Sequence, residues 1–490
     1  MKGNKKKRLN PFGITKKIWG EFFLVFAIFI LILFIFENSF ITPAVIISPF
    51  GFYPFLTLHT LGVALILSYL ILGEHRIQFR IEILTIIALC GMILVNVIVL
   101  INIPGVLIEK VTLTSGEVWF FQVELTMTEL FRSFLLSIDA ALLIYVMLFV
   151  FPKRQNALPI SYLVAFTFMV IGYVLIIHSL ITEMNCYIST IKEGPHPYQN
   201  VPQGLFVNRN LFASYLFGCL LAVFYLWAMR KKFRWLYMLL TIPFAIVILF
   251  TISKTKIIMV AVLYLAWIVY GIISLYRRHK FFFWFLLSLL VLTITAIVIF
   301  RFVPSLKETP IGEFLQKLIP KQIFVTRSVD GRKTIWRYAA NYLSNPFYLF
   351  FGRGFYVSKM LLGYAMSYEP DVPFAYHWGN FHNGFLEVIS TGGIFLSIIY
   401  VGFIAYLVYV IIRIAKFNRQ LAFYSFVALG VFLIHSSFEA VSLLLFNAEG
   451  IIHALPVVLP CLIYYNRLKQ QNRLQSRWEL KYQSSHLQHS

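Results

Sequence analysis

The chain has 490 residues, 60% of them hydrophobic and 13% charged, and a formal net charge of +22. This balance places it in the integral-membrane class and excludes an ordinary soluble domain. The positive charge does not indicate nucleic acid as a partner, because it is dispersed through alternate connections between apolar stretches instead of forming one basic face.

A basic tail occupies residues 1–18. Twelve apolar stretches follow, each near the length that crosses a hydrocarbon core of about 30 Å. They are 19–41, 52–72, 83–103, 130–151, 160–182, 211–229, 236–252, 257–275, 281–303, 394–412, 421–440 and 444–465. Pro43, Pro243 and Pro456 permit kinks that neighbouring helices can satisfy. Asn447, Glu449 and His453 interrupt the twelfth stretch. The first is too long for the apolar core of a secretory signal and lacks a small-residue cleavage site, so it reads as a retained span. The expected fold is therefore an all-α polytopic membrane protein of about 12 transmembrane helices. Spans one to nine fill 19–303, a long polar loop fills 304–393, spans ten to twelve fill 394–465, and a tail covers 466–490.

Basic clusters fall in every second connection: Lys5 to Arg8, Arg76 with Arg80, Lys153-Arg154, Arg230-Lys231-Lys232, Arg277-Arg278, Arg413 with Lys416 and Arg419, then Arg467 to Lys481. That alternation is the positive-inside pattern, and it puts both termini in the cytoplasm and the long loop outside the cell membrane. Cys90, Cys219 and Cys461 lie in apolar stretches and Cys186 stands alone in an outward loop, so no disulfide or cysteine-based metal site is expected. No internal repeat of the kind that builds many transporters is visible.

Ionisable residues inside spans mark function by default. Here most sit near outward ends: His178, the pair Lys254 and Lys256, and His435 with Glu439. Asp139 is near mid-span, where a helix-to-helix hydrogen bond explains it better than a proton relay. Lys254 and Lys256, in Ser253-Lys254-Thr255-Lys256, admit two readings. They snorkel to water, or, since cations are disfavoured in short outward loops, they hold an anion.

A loop longer than about 12–15 residues is usually functional or disordered, and the aromatic content of 304–393 argues against disorder. Residues 311–319 are amphipathic at helical spacing and are expected to lie along the bilayer surface. Asp330 reads as the N-cap of a helix from about Arg332 to Ser344, with Ile335, Trp336, Ala339, Ala340 and Leu343 on one face. Arg332 in the first turn, beside free N–H groups, would suit a phosphate; alternatively it pairs with Asp330 or caps a carbonyl. Residues 346–354 read as a turn-rich bridge in which Gly352-Arg353-Gly354 permits close backbone approach. A polar and aromatic run, 376–383, then opens a short apolar helix leading to Gly392-Gly393. It supplies His377 and His382, the residue type suited to general-base work near neutral pH, although a lone loop histidine is more often structural. No metal-ligand spacing appears.

Taken in order, Phe206-Val207-Asn208-Arg209-Asn210, Ser253-Lys254, Arg332 with Trp336, Gly352-Arg353-Gly354 and His382-Asn383-Gly384-Phe385-Leu386 resemble the O-antigen ligase and polysaccharide polymerase superfamily. The resemblance covers the second half of the chain and implies a metal-independent, cofactor-free, inverting glycosyltransferase of the membrane-embedded type C architecture. Its implied partners are an undecaprenyl-diphosphate-linked glycan and membrane lipid, with flippase and chain-length regulator proteins alongside. The implied roles are diphosphate binding by Arg332 and Lys254, acceptor activation by His382, and support from Asn208, Asn210, Asn383 and Trp336. The family has Arg where this chain has Lys254, a point charge without the bidentate fork, so Lys256 is a candidate to share that role. The function implied is a polymerase joining lipid-linked repeat units of a surface polysaccharide. The alternatives are a ligase passing finished glycan to another acceptor, and a lipid-linked glycan flippase.

The expected topology predicts that an impermeant thiol reagent added to intact cells labels Ser328→Cys and spares Ser485→Cys. The reverse pattern would invert the orientation.

Overall fold

The computed structural model describes residues 80–102, 106–112, 118–124, 127–153, 157–193, 201–206, 209–276, 327–355, 357–367, 381–439 and 456–471, with isolated positions 280, 284, 288, 291, 292, 295 and 453. The first two expected spans, most of the ninth, the surface helix at 311–319, the N-terminal tail, residues 472–490, Asn208 and His377 lie outside the described residues, as does the side chain of Asp139.

In chain order the elements are α1 (Arg80–Asn102), β1 (Val106–Thr112), β2 (Val118–Glu124), α2 (Met127–Tyr145), α3 (Ala157–Thr182), α4 (Met184–Glu193), α5 (Arg209–Met229), α6 (Arg234–Phe250), α7 (Lys254–Tyr276), α8 (Arg327–Leu343), α9 (Pro346–Phe351), α10 (Val357–Ser367), α11 (Gly384–Ala415) and α12 (Arg419–Phe438). Residues 456–471 are also helical. Six of these helices, α1, α3, α5, α7, α11 and α12, are long and apolar enough to cross a membrane, and α6 is a shorter apolar helix. They fall on the third, fifth, sixth, eighth, tenth, eleventh and seventh expected spans, which supports a multi-pass membrane protein.

One departure from an all-helical chain is a hairpin. β1 pairs antiparallel with β2, from Val106 opposite Glu124 to Thr112 opposite Val118. Both segments are rich in β-branched and aromatic residues, VLIEKVT and VWFFQVE, a composition that favours a pleated ribbon.

The described residues group into two compact units. The first draws on Met1–Ser161, Ile335–Ile414 and Ala440–Ser490; the second on Tyr162–Thr334 and Ala415–Glu439. The second is built around α5, whose residues Phe212 to Ala228 are buried without interruption. A helix that is apolar all round must be covered all round. Within this unit α6, α7 and α12 pack against α5, and α3 joins them through Tyr162 stacked near Tyr225 and Tyr173 edge-on to Phe244. Gly172 of α3 leaves room for Phe244, since a Cβ there would lie 2.4 Å from its ring.

In the first unit a buried cluster of Val99, Ile335, Tyr338, Ala339, Tyr342, Leu361, Leu362 and Phe381 joins α1, α8 and α10 to the segment that precedes α11. The packed face of α8 therefore differs from the expected one. Tyr338 and Tyr342 are buried with Ile335 and Ala339, whereas Ala340 is exposed. The start of α8 also differs. The helix runs from Arg327, so Asp330 lies inside it and does not cap it. Gly331 costs only about 1 kcal/mol relative to Ala within a helix, too little to stop one whose later turns are packed. The expected bridge at 346–354 is partly helical. Asn345 accepts from Phe347 N at 2.9 Å and Pro346 stands at the first helical position, a start that forms α9.

After α9 the chain makes its closest approach. Arg353 N donates to Ser390 O and Gly354 N to Thr391 O, each at 2.9 Å. Gly352 (φ 72°) and Gly393 (φ 62°) occupy the left-handed region. A Cβ at Gly352 would lie 2.4 Å from the Thr391 carbonyl, and one at Gly393 would lie 2.3 Å from the Phe350 carbonyl. The expected backbone approach at Gly352-Arg353-Gly354 is thus realised against Thr391-Gly392-Gly393. There α11 breaks into a short helix and a span, because Gly392 and Gly393 have non-helical backbone angles.

Gly352→Ala is expected to destabilise the detergent-solubilised protein strongly, since left-handed geometry alone costs an L-residue roughly 1–2 kcal/mol and the added methyl meets backbone. Gly402→Ala in α11, where an added Cβ has nothing within 4 Å, is expected to melt no lower than wild type. Equal melting temperatures for the two variants would refute the constraint.

Candidate functional site

The residues expected to bind phosphate lie in the second unit, at the end of its bundle where α5 and α7 begin and α12 finishes. The turn between α6 and α7 is only Thr251 to Ser253. It is closed by Thr251 Oγ1 donating to Ile248 O at 2.7 Å. Ile252 takes φ 53° there, an outlier for a β-branched residue and a mark of backbone strain. This tight turn makes Lys254 the first residue of α7 and leaves it half-buried. The two lysines were expected in a connecting loop; both are helical instead.

Their fates diverge. Lys254 has Arg209, at the start of α5, and Arg332, in α8, as electrostatic neighbours. Lys256 is fully buried, and its Nζ is hydrogen-bonded to Nε2 of His435, itself fully buried in α12. Lys256 therefore does not present a water-facing amine. One helical turn later, α12 ends at Glu439, whose N–H donates to His435 O at 2.9 Å. The Glu439 carboxylate lies 3.6 Å from Arg332 Nη2, with both side chains mostly covered. The last turn of α12 thus meets Lys256 with a histidine and Arg332 with a carboxylate.

Arg209, between two asparagines of the family-like run, has no role assigned from sequence, yet it joins Lys254 and Arg332 as a third cation. The available signal is its place at the start of an apolar span. Asn210 beside it is exposed. The segment leading to α5 is held by Glu183, whose carboxylate accepts from Gln203 N at 3.0 Å, Gly204 N at 2.8 Å and Ser179 Oγ at 2.6 Å. Tyr187 closes this knot through Ser179 at 2.8 Å, and burial pushes its phenol up to about 12.

Arg332 is held differently from the expectation. It does not lie in the first turn of α8, so free N–H groups at the helix start are not its neighbours. Its guanidinium lies instead beside the Glu439 carboxylate.

His382 belongs to the first unit. Trp336 Nε1 donates to Phe381 O at 3.1 Å, and Phe381 is fully buried. On the other side Asn383 Oδ1 accepts from Phe385 N and Leu386 N, each at 3.0 Å, which makes Asn383 the N-cap of α11. Between these two anchors His382 is half-buried with φ 49°, a left-handed conformation uncommon outside glycine. Asn383 and Trp336 thereby fix the histidine's backbone. Glu387, one turn into α11, is buried as well.

The first unit holds a further cation, Arg353, stacked between the rings of Tyr342 and Tyr348 at 4.4 and 4.3 Å. This sandwich fixes the Gly-x-Gly turn and gives Arg353 a structural role.

Residues 239–401 match the family model described as O-antigen ligase. No curated protein matches the chain. The matched region contains Lys254, Lys256, Arg332, Trp336, His382 and Asn383, and supports the resemblance to the O-antigen ligase and polymerase superfamily. It supports a membrane enzyme of that general type. Arg209, His435 and Glu439 lie outside it.

Loss of the cap is expected to be measurable. Asn383→Ala should cost about 1 kcal/mol of stability, and Asn383→Ser should retain most of it. Thermal unfolding of the purified variants checks this; identical losses for Ala and Ser would show that the cap is not what Asn383 contributes.

Proposed function

We propose that this chain is a glycosyltransferase that joins undecaprenyl-diphosphate-linked oligosaccharide repeat units into a surface polysaccharide at the outer face of the membrane. The observation that carries the reading is the convergence of Arg209, Lys254 and Arg332 at one end of the α5 bundle. Three cations held by helix starts and packed turns suit a diphosphate, the leaving group of a lipid-linked sugar.

In the proposed reaction an acceptor hydroxyl attacks the anomeric carbon of the donor sugar. The new carbon–oxygen bond forms on one face as the bond to the diphosphate breaks on the other, so the anomeric centre inverts. His382 takes the hydroxyl proton, and the electron pair leaves with the lipid diphosphate. A diphosphate is already a good leaving group, so charge stabilisation and positioning supply most of what the reaction needs. His382 is assigned as the base from the family-like signature that it opens and from the backbone that two anchors hold around it.

Polymerisation is favoured over ligation on composition. The Lys-, Ile-, Phe- and Asn-rich usage suggests an AT-rich genome of a Gram-positive kind, without a lipid A acceptor. Capsule, exopolysaccharide or a teichuronic-acid-like polymer is then the product. A flippase would instead hold its charges in a central cavity between spans, whereas Arg209 and Lys254 open their helices.

Deletion of the protein is expected to accumulate single lipid-linked repeat units; accumulation of long lipid-linked chains would indicate a ligase, and of inward-trapped units a flippase. Among point variants, His382→Ala should lower polymer formation about 10²–10⁴-fold with lipid-linked substrate binding largely kept, while His377→Ala stays active. Arg332→Lys should be far more damaging than Lys254→Arg, because a point charge does not replace a bidentate donor at phosphate. Polymer assays at equal protein levels decide, and full activity of Arg332→Lys would make that residue structural.

A further inference from the structure

The end of α12 supplies a carboxylate to a place where the proposed reaction calls for phosphate. Arg332 Nη2 is 3.6 Å from Glu439 Oε1, and Arg332 and Arg209 are the electrostatic neighbours of Lys254. Glu439 is not a loose surface group. Its backbone closes α12 through a 2.9 Å bond to His435 O, in an extended conformation at φ −137° and ψ 159°. His435, in turn, is fastened to buried Lys256. The backbone that carries the carboxylate is therefore tied to the end of α12, and the negative end of the helix dipole adds to its charge.

We propose that Glu439 is a resident counter-charge for the phosphate site: it holds Arg332 when the site is empty and competes with the phosphate oxygens of substrate and product. This rests on the reading that the cation cluster binds the lipid diphosphate. Two consequences follow from electrostatics. With the carboxylate, Arg332 is kept in place and its charge is met before a ligand arrives. The same carboxylate weakens the grip on the diphosphate product, so that the site does not retain the strongest anion in the reaction. Glu439 acts through Arg332 and is a positioning residue, with no bond made or broken at its own atoms.

The test uses the full-length chain purified in detergent and titrated with inorganic pyrophosphate by calorimetry at low salt. Glu439→Gln removes the charge at nearly constant shape and is expected to bind pyrophosphate about tenfold more tightly than wild type. Arg332→Ala is expected to bind more weakly. Glu439→Asp, which withdraws the carboxylate by one methylene, should fall between wild type and Glu439→Gln, and it stands alone as the test if Glu439→Gln does not fold. In polymer assays Glu439→Gln should lower both KM and kcat, because product release slows, whereas a merely structural residue would not tighten binding. Arg332-dependent binding that Glu439→Gln and Glu439→Asp leave unchanged or weaken overturns this proposal alone. Absence of binding by wild type, or binding unaffected by Arg332→Ala, overturns the phosphate site and the counter-charge together.

Discussion

An ionised group withdrawn from water must be met by another charge or by hydrogen bonds, and the penalty for failing is several kcal/mol per group. In a chain this apolar that requirement governs which helix ends can share a place. Lys256 has no exposed surface and is met by His435; Glu82, equally buried, accepts from Tyr145 at 2.9 Å and from Lys153 at 2.6 Å. Glu183 gathers two backbone N–H groups and a hydroxyl, and Arg353 lies between two tyrosine rings. The Lys256 and Glu82 pairings tie segments distant in sequence to one another, so polar satisfaction here performs part of the tethering that apolar packing alone leaves unspecific.

The two kinds of tether differ in character. In the second unit charge pairs join helix ends: α7 to α12 through Lys256, and α8 to α12 through Arg332. In the first unit, beside the Glu82–Lys153 pair, a join is made by backbone. The carbonyls of Phe350 and Thr391 pass so near Gly393 and Gly352 that no side chain fits at either glycine. That contact lies at the break within α11, while the start of the helix is fixed by the Asn383 cap, with the strained His382 beside it. In the proposed reaction a histidine on such a backbone does not need to be ordered by substrate, which is the advantage of positioning chemistry by the fold.

Much of this was legible in the sequence. The apolar stretches for α1, α3, α5, α7 and α12 could be read from length and hydropathy. So could the break at Gly392-Gly393 and the close approach at Gly352-Arg353-Gly354, because glycine pairs at helix boundaries have few other uses. What escaped was set by tertiary contact. The early start of α8 depends on packing that outweighs Gly331 and Asp330. The burial of Lys256 depends on His435, 179 residues away, and no local pattern announces such a partner. Arg209 escaped for a different reason: between two asparagines of a family-like run it looked like a spacer. The hairpin is not legible in hydropathy because its two segments are short and lie in a connection between apolar stretches.

The separation between Lys256 and His435 also bears on how the protein is made. At about 5–20 residues per second, the histidine is synthesised roughly 10–35 seconds after the lysine. Throughout that interval α7 is exported to the membrane carrying an amine whose eventual neighbour has not yet been translated. Insertion of such a helix is costly at the bilayer centre and much cheaper near an interface, and Lys256 lies in the first turn of α7, within reach of one. The first turn of α7 is thus the place where the amine costs least before the eleventh expected span is made. The ribosome's schedule, as much as the finished packing, favours a buried lysine at a helix start over one in its middle.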